Sequence, residues 1–185
     1  MPLDVNEWFL LHSGQGMHWY LKRLSGTETL ANGSRQPGPW FPKEFLFALF
    51  PALNRPRELN PETRFDLYID SHDDHRKVRA VWYNSRFHSG TRDETRCCEL
   101  GGPASALQAP ESTGALVVFA FSEASPDGEA ACHAWVSRNA SDEDQIENWF
   151  GPIEPGMGIA VIPHPDTVSD FASGTRRKNY WFELS

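Results

Sequence analysis

Residues 84–96, Asn84-Ser85-Arg86-Phe87-His88-Ser89-Gly90-Thr91-Arg92-Asp93-Glu94-Thr95-Arg96, crowd arginines, carboxylates and hydroxyls into one short stretch. If its end is extended, Arg92, Glu94 and Arg96 point to one side, because side chains alternate along a strand. Such a side suits the major groove of duplex DNA. A guanidinium fork matches guanine O6 and N7, and a carboxylate accepts from cytosine N4. A glutamate between two arginines is poor for general phosphate binding, since it repels the backbone, and makes sense where a cytosine is read. The competing reading is a solvated hairpin laced by cross-strand salt bridges. The residues alone leave both open.

Other constellations carry less. The loop Gly33-Ser34-Arg35-Gln36-Pro37-Gly38-Pro39-Trp40 offers Arg35 and Gln36 as further base or phosphate contacts, and its composition is equally that of an ordinary turn. His72-Asp73-Asp74-His75 has metal-ligand types, but adjacent side chains diverge and rarely wrap one ion, so a polar turn is expected. His164 with Asp166 is no stronger. The adjacent Cys97 and Cys98 with Cys132 form neither a zinc spacing nor a disulfide framework, and are read as reduced thiols. Neither Pro126-Asp127 nor Pro165-Asp166 is followed by the acid-x-Lys triplet of a nuclease. There is no lysine-bearing phosphate loop and no Gly-x-Ser-x-Gly elbow. No catalytic residue and no metal site are expected. Arg176-Arg177-Lys178 is read as a solvated basic run.

The elements that would position these groups are short. Asp4 is placed to cap a helix carrying Trp8, Phe9 and Leu10, and Pro42 to start another with Phe45, Leu46 and Leu49 inward. Ser141 is expected to cap a third over 142–150. Residues 18–24, 64–70, 78–84, 134–136, 158–162 and 179–182 read as strands, and 115–121 as a central strand buried on both faces. Many short strands with two or three short helices describe a compact, β-dominated, barrel-like single domain. The 14 prolines and 14 glycines agree with frequent turns.

Taken alone, the net charge of -8 argues against an acidic partner, but the charge is polarised along the chain. Residues 15–57 hold six basic groups against two acidic, and 76–96 hold six against two, whereas 123–154 hold eight acids and only Arg138. Such a chain can present one electropositive face to phosphates. No apolar run approaches a membrane span, and the N-terminus lacks signal-peptide features, so an intracellular protein is expected.

Several blocks then converge on one family: Leu49-Phe50-Pro51-Ala52-Leu53-Asn54, Arg57-Glu58-Leu59-Asn60-Pro61, Ser71-His72-Asp73, residues 79–86 (RAVWYNSR), Thr91-Arg92-Asp93-Glu94-Thr95-Arg96 and Thr113-Gly114-Ala115-Leu116. From about Trp8 to Gly156 the chain resembles the N-terminal effector domains of EcoRII-like type IIE restriction endonucleases. The resemblance implies a mainly β DNA-binding pseudobarrel: an open, seven-stranded barrel with short flanking helices, shared with plant hormone-response transcription factors. Two arms would grip the major groove at 5′-CCWGG (W is A or T), while a separate C-terminal nuclease domain, the site of any Mg2+, does the cutting. It further implies a prokaryotic cytoplasmic protein whose residues 1–185 are one effector domain without the nuclease. Residues 157–185 would be last strands or the start of a linker.

By position, 34–40 would be the first arm and 85–96 the second, with Arg92, Glu94 and Arg96 as base readers. Around them Arg35, Gln36, Trp40, Arg79, Asn84, Ser85, Arg86, Thr91 and Thr95 complete the implied interface. The chain departs from the family at Arg35 (histidine there), Trp40 (tyrosine), and Gly90 and Thr95 (both lysine). An alternative from another class is a protein-interaction or autoinhibitory module that docks on a nuclease domain through its acidic 123–154 segment.

Overall fold

The computed structural model describes residues 3–33, 35, 37–123 and 130–163. Asp4 opens α1 (Val5–Leu11) with a capping box: its carboxylate accepts from Glu7 N, and the Glu7 carboxylate accepts from Asp4 N. Eight strands follow among the described residues, one more than the seven implied: β1 (Met17–Arg23), β2 (Trp40–Phe41), β3 (Glu62–Ile69), β4 (Asp74–Tyr83), β5 (Glu94–Cys98), β6 (Leu116–Ser122), β7 (Ala131–Val136) and β8 (Gly158–Val161). They form one sheet in the order β2-β5-β4-β3-β7-β6-β1-β8. All neighbours are antiparallel except β3 and β7. The strand expected at 179–182, like the basic run 176–178, lies outside the described residues.

The sheet is curled rather than flat. Phe41 belongs to the edge strand β2, yet its ring lies 5.3 Å from Tyr20 on β1 and 5.0 Å from Phe119 on β6, near the far end of the strand order. Only a sheet rolled toward closure brings those strands together. The concave side is filled by Phe41, Phe65, Leu67, Ile69, Phe119 and Phe121 and is plugged by α2 (Lys43–Leu49), whose Phe45, Leu46 and Leu49 are buried there as expected. Pro42 stands one residue before α2, at the cap position.

The strands β1 and β6 are buried on both faces because helices cover the convex side. Along β6, Val117, Phe119 and Phe121 face the barrel interior, while Leu116, Val118 and Ala120 join a second cluster with Val5, Trp8 and Phe9 of α1 and Ile146 and Phe150 of α3 (Ala140–Phe150). That is why 116–121 reads as an unbroken apolar run instead of alternating. The cap of α3 is Asn139, which accepts from Asp142 N at 3.0 Å, and not Ser141, whose hydroxyl instead accepts from Gln145. Asp142 stands in the first turn of α3. It is buried, accepting from Trp135 Nε1, Arg138 N and Arg138 Nε.

Candidate nucleic-acid interface

β5 is the foundation of the site. Thr95 and Cys97 turn inward and are buried, so Glu94, Arg96 and Cys98 must face out. Pairing with β4 and β2 sets Tyr83 opposite Glu94, and both Val81 and Trp40 opposite Arg96. Arg92, just ahead of the strand, reaches the same side. Its guanidinium lies 4.1 Å over the Tyr83 ring and donates to Glu94 Oε1. From the other flank Arg96 Nε donates to the same oxygen at 3.2 Å, and Arg96 Nη1 to the Gly38 carbonyl at 3.4 Å. The expected triad of Arg92, Glu94 and Arg96 is therefore assembled, with ion pairs running along one strand rather than across a hairpin. Partial burial opposes ionisation of Glu94, but the hydrogen bonds from Arg92 and Arg96 outweigh it and hold its carboxyl below the usual range.

Residues 85–93 form a folded loop, not a loose one. Arg86 N donates to the Arg92 carbonyl at 2.9 Å, Arg92 N to Ser85 Oγ at 3.1 Å, and Gly90 N to the Ser85 carbonyl at 2.7 Å. A Cβ at Gly90 would stand 2.7 Å from Ser85 Cβ, so the loop as folded leaves no room for a side chain there. Arg86, Phe87, His88 and Thr91 are exposed on this loop. Its returning leg is tied down by Asp93, which accepts from Trp82 Nε1 at 2.8 Å and from Lys43 Nζ at 2.7 Å.

Two residues expected to touch a ligand do something else. Asn84 is fully buried and clasps the segment before β3: its Nδ2 donates to the Glu58 carbonyl at 2.7 Å and its Oδ1 accepts from Asn60 N at 2.8 Å. Thr95 is also buried and donates to the Phe41 carbonyl, locking β5 to β2. Both shape the interface from beneath. Asn84→Ala should cost about 1–3 kcal/mol, because it removes the partners of the part-buried Asn60 N–H and Glu58 carbonyl and empties a fully buried position. A urea unfolding midpoint unchanged from the parent would refute the clasp.

The remaining expected residues divide between two clefts. Trp40, Glu94 and Arg96 line the larger one, with Lys22, Glu28 and Asp93. Arg35 and Arg79 line a shallower groove with Tyr83, Cys98 and Glu99. Arg79 is engaged by two carboxylates, with Nη1 2.8 Å from Glu62 and Nε 3.6 Å from Glu99. Arg35 is exposed, and Gln36 lies outside the described residues. Trp40 is 41% exposed, an unusual setting for so large a ring.

Sequence reasoning missed the pair beneath Trp40. Lys22 Nζ donates to Glu28 and to the Trp40 carbonyl at 3.1 Å. Glu28 in turn accepts from Trp40 N at 2.8 Å and Ser25 N at 2.9 Å. Both are buried, and burial pushes the Lys22 ammonium below its ordinary range despite its partner. A signal was present: in MHWYLKR the lysine shares a face with Tyr20, a core position. Gly38 completes the support. It accepts from Arg96, its φ is +143°, and a Cβ there would run into the Cys97 carbonyl.

A family model described as restriction endonuclease EcoRII, N-terminal, matches residues 13–165. The chain belongs to the EcoRII N-terminal family. It is 34% identical over 157 residues to the type II restriction enzyme EcoRII of Escherichia coli, covering 84% of this chain and 39% of that enzyme. The chain thus spans about two fifths of the length of its relative. The fold resembles that of the UbaLAI restriction endonuclease B3 domain, crystallised with cognate DNA, at a TM-score of 0.53 and 17% identity over 79% of this chain and 87% of that one. The fold of this chain is accordingly a B3-like pseudobarrel, with eight strands among the described residues. Among the described residues no helix is long and apolar enough to cross a membrane.

Proposed function

We propose that this EcoRII N-terminal domain binds duplex DNA sequence-specifically through the major groove. Residues 34–40 and 85–96 act as its two arms. The observation that carries the reading is the Arg92–Glu94–Arg96 cluster, which stands outward at the start of β5 beside the exposed Trp40. Two guanidinium forks flanking one carboxylate match guanines beside a cytosine, the edge pattern of a 5′-CCWGG-like site. The cognate DNA held by the UbaLAI B3 domain supports the same use of this fold. Trp40, Arg35 and Gln36 approach from the first arm, while Arg86 and Thr91 meet phosphates from the second.

Binding requires no cofactor. The domain itself is non-catalytic and constitutes residues 1–185 as one unit. Cutting belongs to a C-terminal nuclease domain of a longer protein, as the greater length of EcoRII suggests, and Mg2+ serves that domain.

Gel-shift competition with cognate, singly substituted, methylated and scrambled duplexes tests the proposal. Glu94→Gln should lose about 1–3 kcal/mol of discrimination at one cytosine position. It should also bind scrambled duplex more tightly, because a carboxylate facing the backbone has gone. Unchanged preference at every position would remove Glu94 from the reading face. A parent chain with no steep salt dependence of duplex binding would remove the proposal itself.

A further inference from the structure

The His-Asp-Asp-His motif disperses in the fold: His75 turns to Asp66, Asp74 to Arg76, and His72 to Ser71. A different set of ligand types converges instead at the opposite end of the β3–β4 hairpin from the arms, about 30 Å along β4 at roughly 3.3 Å per residue. His12 closes α1, Asp70 sits in the 3-10 turn Asp70–His72 between β3 and β4, and His133 lies on β7. From these residues, the geometry points to a binding site for a divalent transition-metal ion of zinc type, formed by His12 Nε2, Asp70 Oδ2 and His133 Nδ1.

Distances support it first. Asp70 Oδ2 is 3.2 Å from His12 Nε2 and 2.9 Å from His133 Nδ1, and all three atoms lie within 4.8 Å of one another. Ligand atoms about 2.0–2.2 Å from a tetrahedral zinc stand roughly 3.3–3.6 Å apart, so the two Asp70 separations need only a few tenths of an ångström of adjustment, and the two ring nitrogens, within 4.8 Å of each other, close to the same spacing around the ion. Two imidazoles and one carboxylate are the ligand types that suit zinc and its first-row neighbours.

Orientation supports it next. His75, Tyr68 and His133 are register partners on β4, β3 and β7, and their rings stack at 4.2 and 4.7 Å. His12 extends the stack, 4.1 Å from His133. Stacking fixes both ligand rings before any ion arrives. Asp70 is fixed as well, because Trp8 Nε1 donates to its Oδ2 at 2.7 Å, the kind of outer hydrogen bond that orients a metal-bound carboxylate. The site opens into a cleft lined by Leu3, Leu11, Asp73 and Asp74, leaving room for water as a fourth ligand. To ligate the ion, each ring would carry its proton on the other nitrogen, His12 on Nδ1 and His133 on Nε2.

The test uses the untagged full chain, stripped with EDTA and titrated with zinc chloride. Calorimetry should report one zinc per chain. His133→Phe and His12→Phe, which keep a stacking ring, should abolish this binding, whereas His75→Phe should leave it intact. Trp8→Phe should weaken it by about 10–100-fold, the usual effect of losing an outer partner. Histidine-ring and indole NMR signals of the parent chain keep the test decisive even if a variant misfolds: zinc should shift those of His12, His133 and Trp8. No stoichiometric zinc in the parent, binding retained by both phenylalanine variants, or shifts confined to other histidines would each overturn the site.

Discussion

Glu28→Ala is expected to destabilise the chain by about 3–5 kcal/mol, the range for removing one partner of a buried ion pair. The Lys22 and Glu28 side chains retain only 9% and 5% of their exposure, so the loss leaves an ammonium in the cleft with the Trp40 carbonyl as its remaining acceptor among the described residues. Two backbone donors, Ser25 N and Trp40 N, lose their acceptor at the same time. Urea denaturation with an unchanged slope and a lowered midpoint would register the effect. The double variant Lys22→Met with Glu28→Leu separates charge from geometry. Apolar residues of similar volume commonly restore the stability of a broken buried pair. They cannot restore the hydrogen bond to Trp40 N, so the double variant should fold well and still present the first arm loosely. If Glu28→Ala alone unfolds at the parent's midpoint, the pair carries no structural weight.

The same pair marks where sequence reading stopped. The strand 64–70 was legible because Phe65, Leu67 and Ile69 alternate against one core, and α2 because Phe45, Leu46 and Leu49 share a helical face. The outward side of Arg92, Glu94 and Arg96 followed from the same period-two rule, since Thr95 and Cys97 had to turn the other way. Long-range pairing obeys no local period. Nothing near Glu28 says that Lys22 and Trp40 converge on it, because the curl of the sheet brings β1 against β2. His12, Asp70 and His133 are distant in sequence for the same reason, while the conspicuous run 72–75 diverges once its turn is formed. The expected α3 cap lies two residues from the observed one because Asn139 and Ser141 are both good capping types, and the hydrogen bond that Asn139 accepts from Asp142 N distinguishes them. Asn84 and Thr95 were assigned to the interface by position along the chain, and their burial beneath it became visible only with the strand pairing.

Combining Arg92→Ala with Arg96→Ala should have the largest effect on DNA binding. One bidentate arginine–guanine contact contributes about 1–3 kcal/mol of discrimination, so two should remove roughly 2–6 kcal/mol and with it most preference for the cognate site. The pair should also couple. Both guanidiniums hold Glu94 Oε1, and Arg92 is further braced over Tyr83, so the free chain already fixes side chains that would otherwise lose rotamer freedom on binding. With one arginine left, Glu94 keeps a partner. With both gone it faces the groove uncompensated and repels the backbone, so the double loss should exceed the sum of the single losses in a double-mutant cycle. Base readers and phosphate binders then part company in their salt dependence. Two base readers leave the salt slope nearly as it was and collapse the cognate-to-scrambled ratio, whereas two phosphate contacts lower the slope by about 2 and leave the ratio standing. Competition binding at two salt concentrations distinguishes these outcomes, and a preserved ratio would move both arginines from the bases to the backbone.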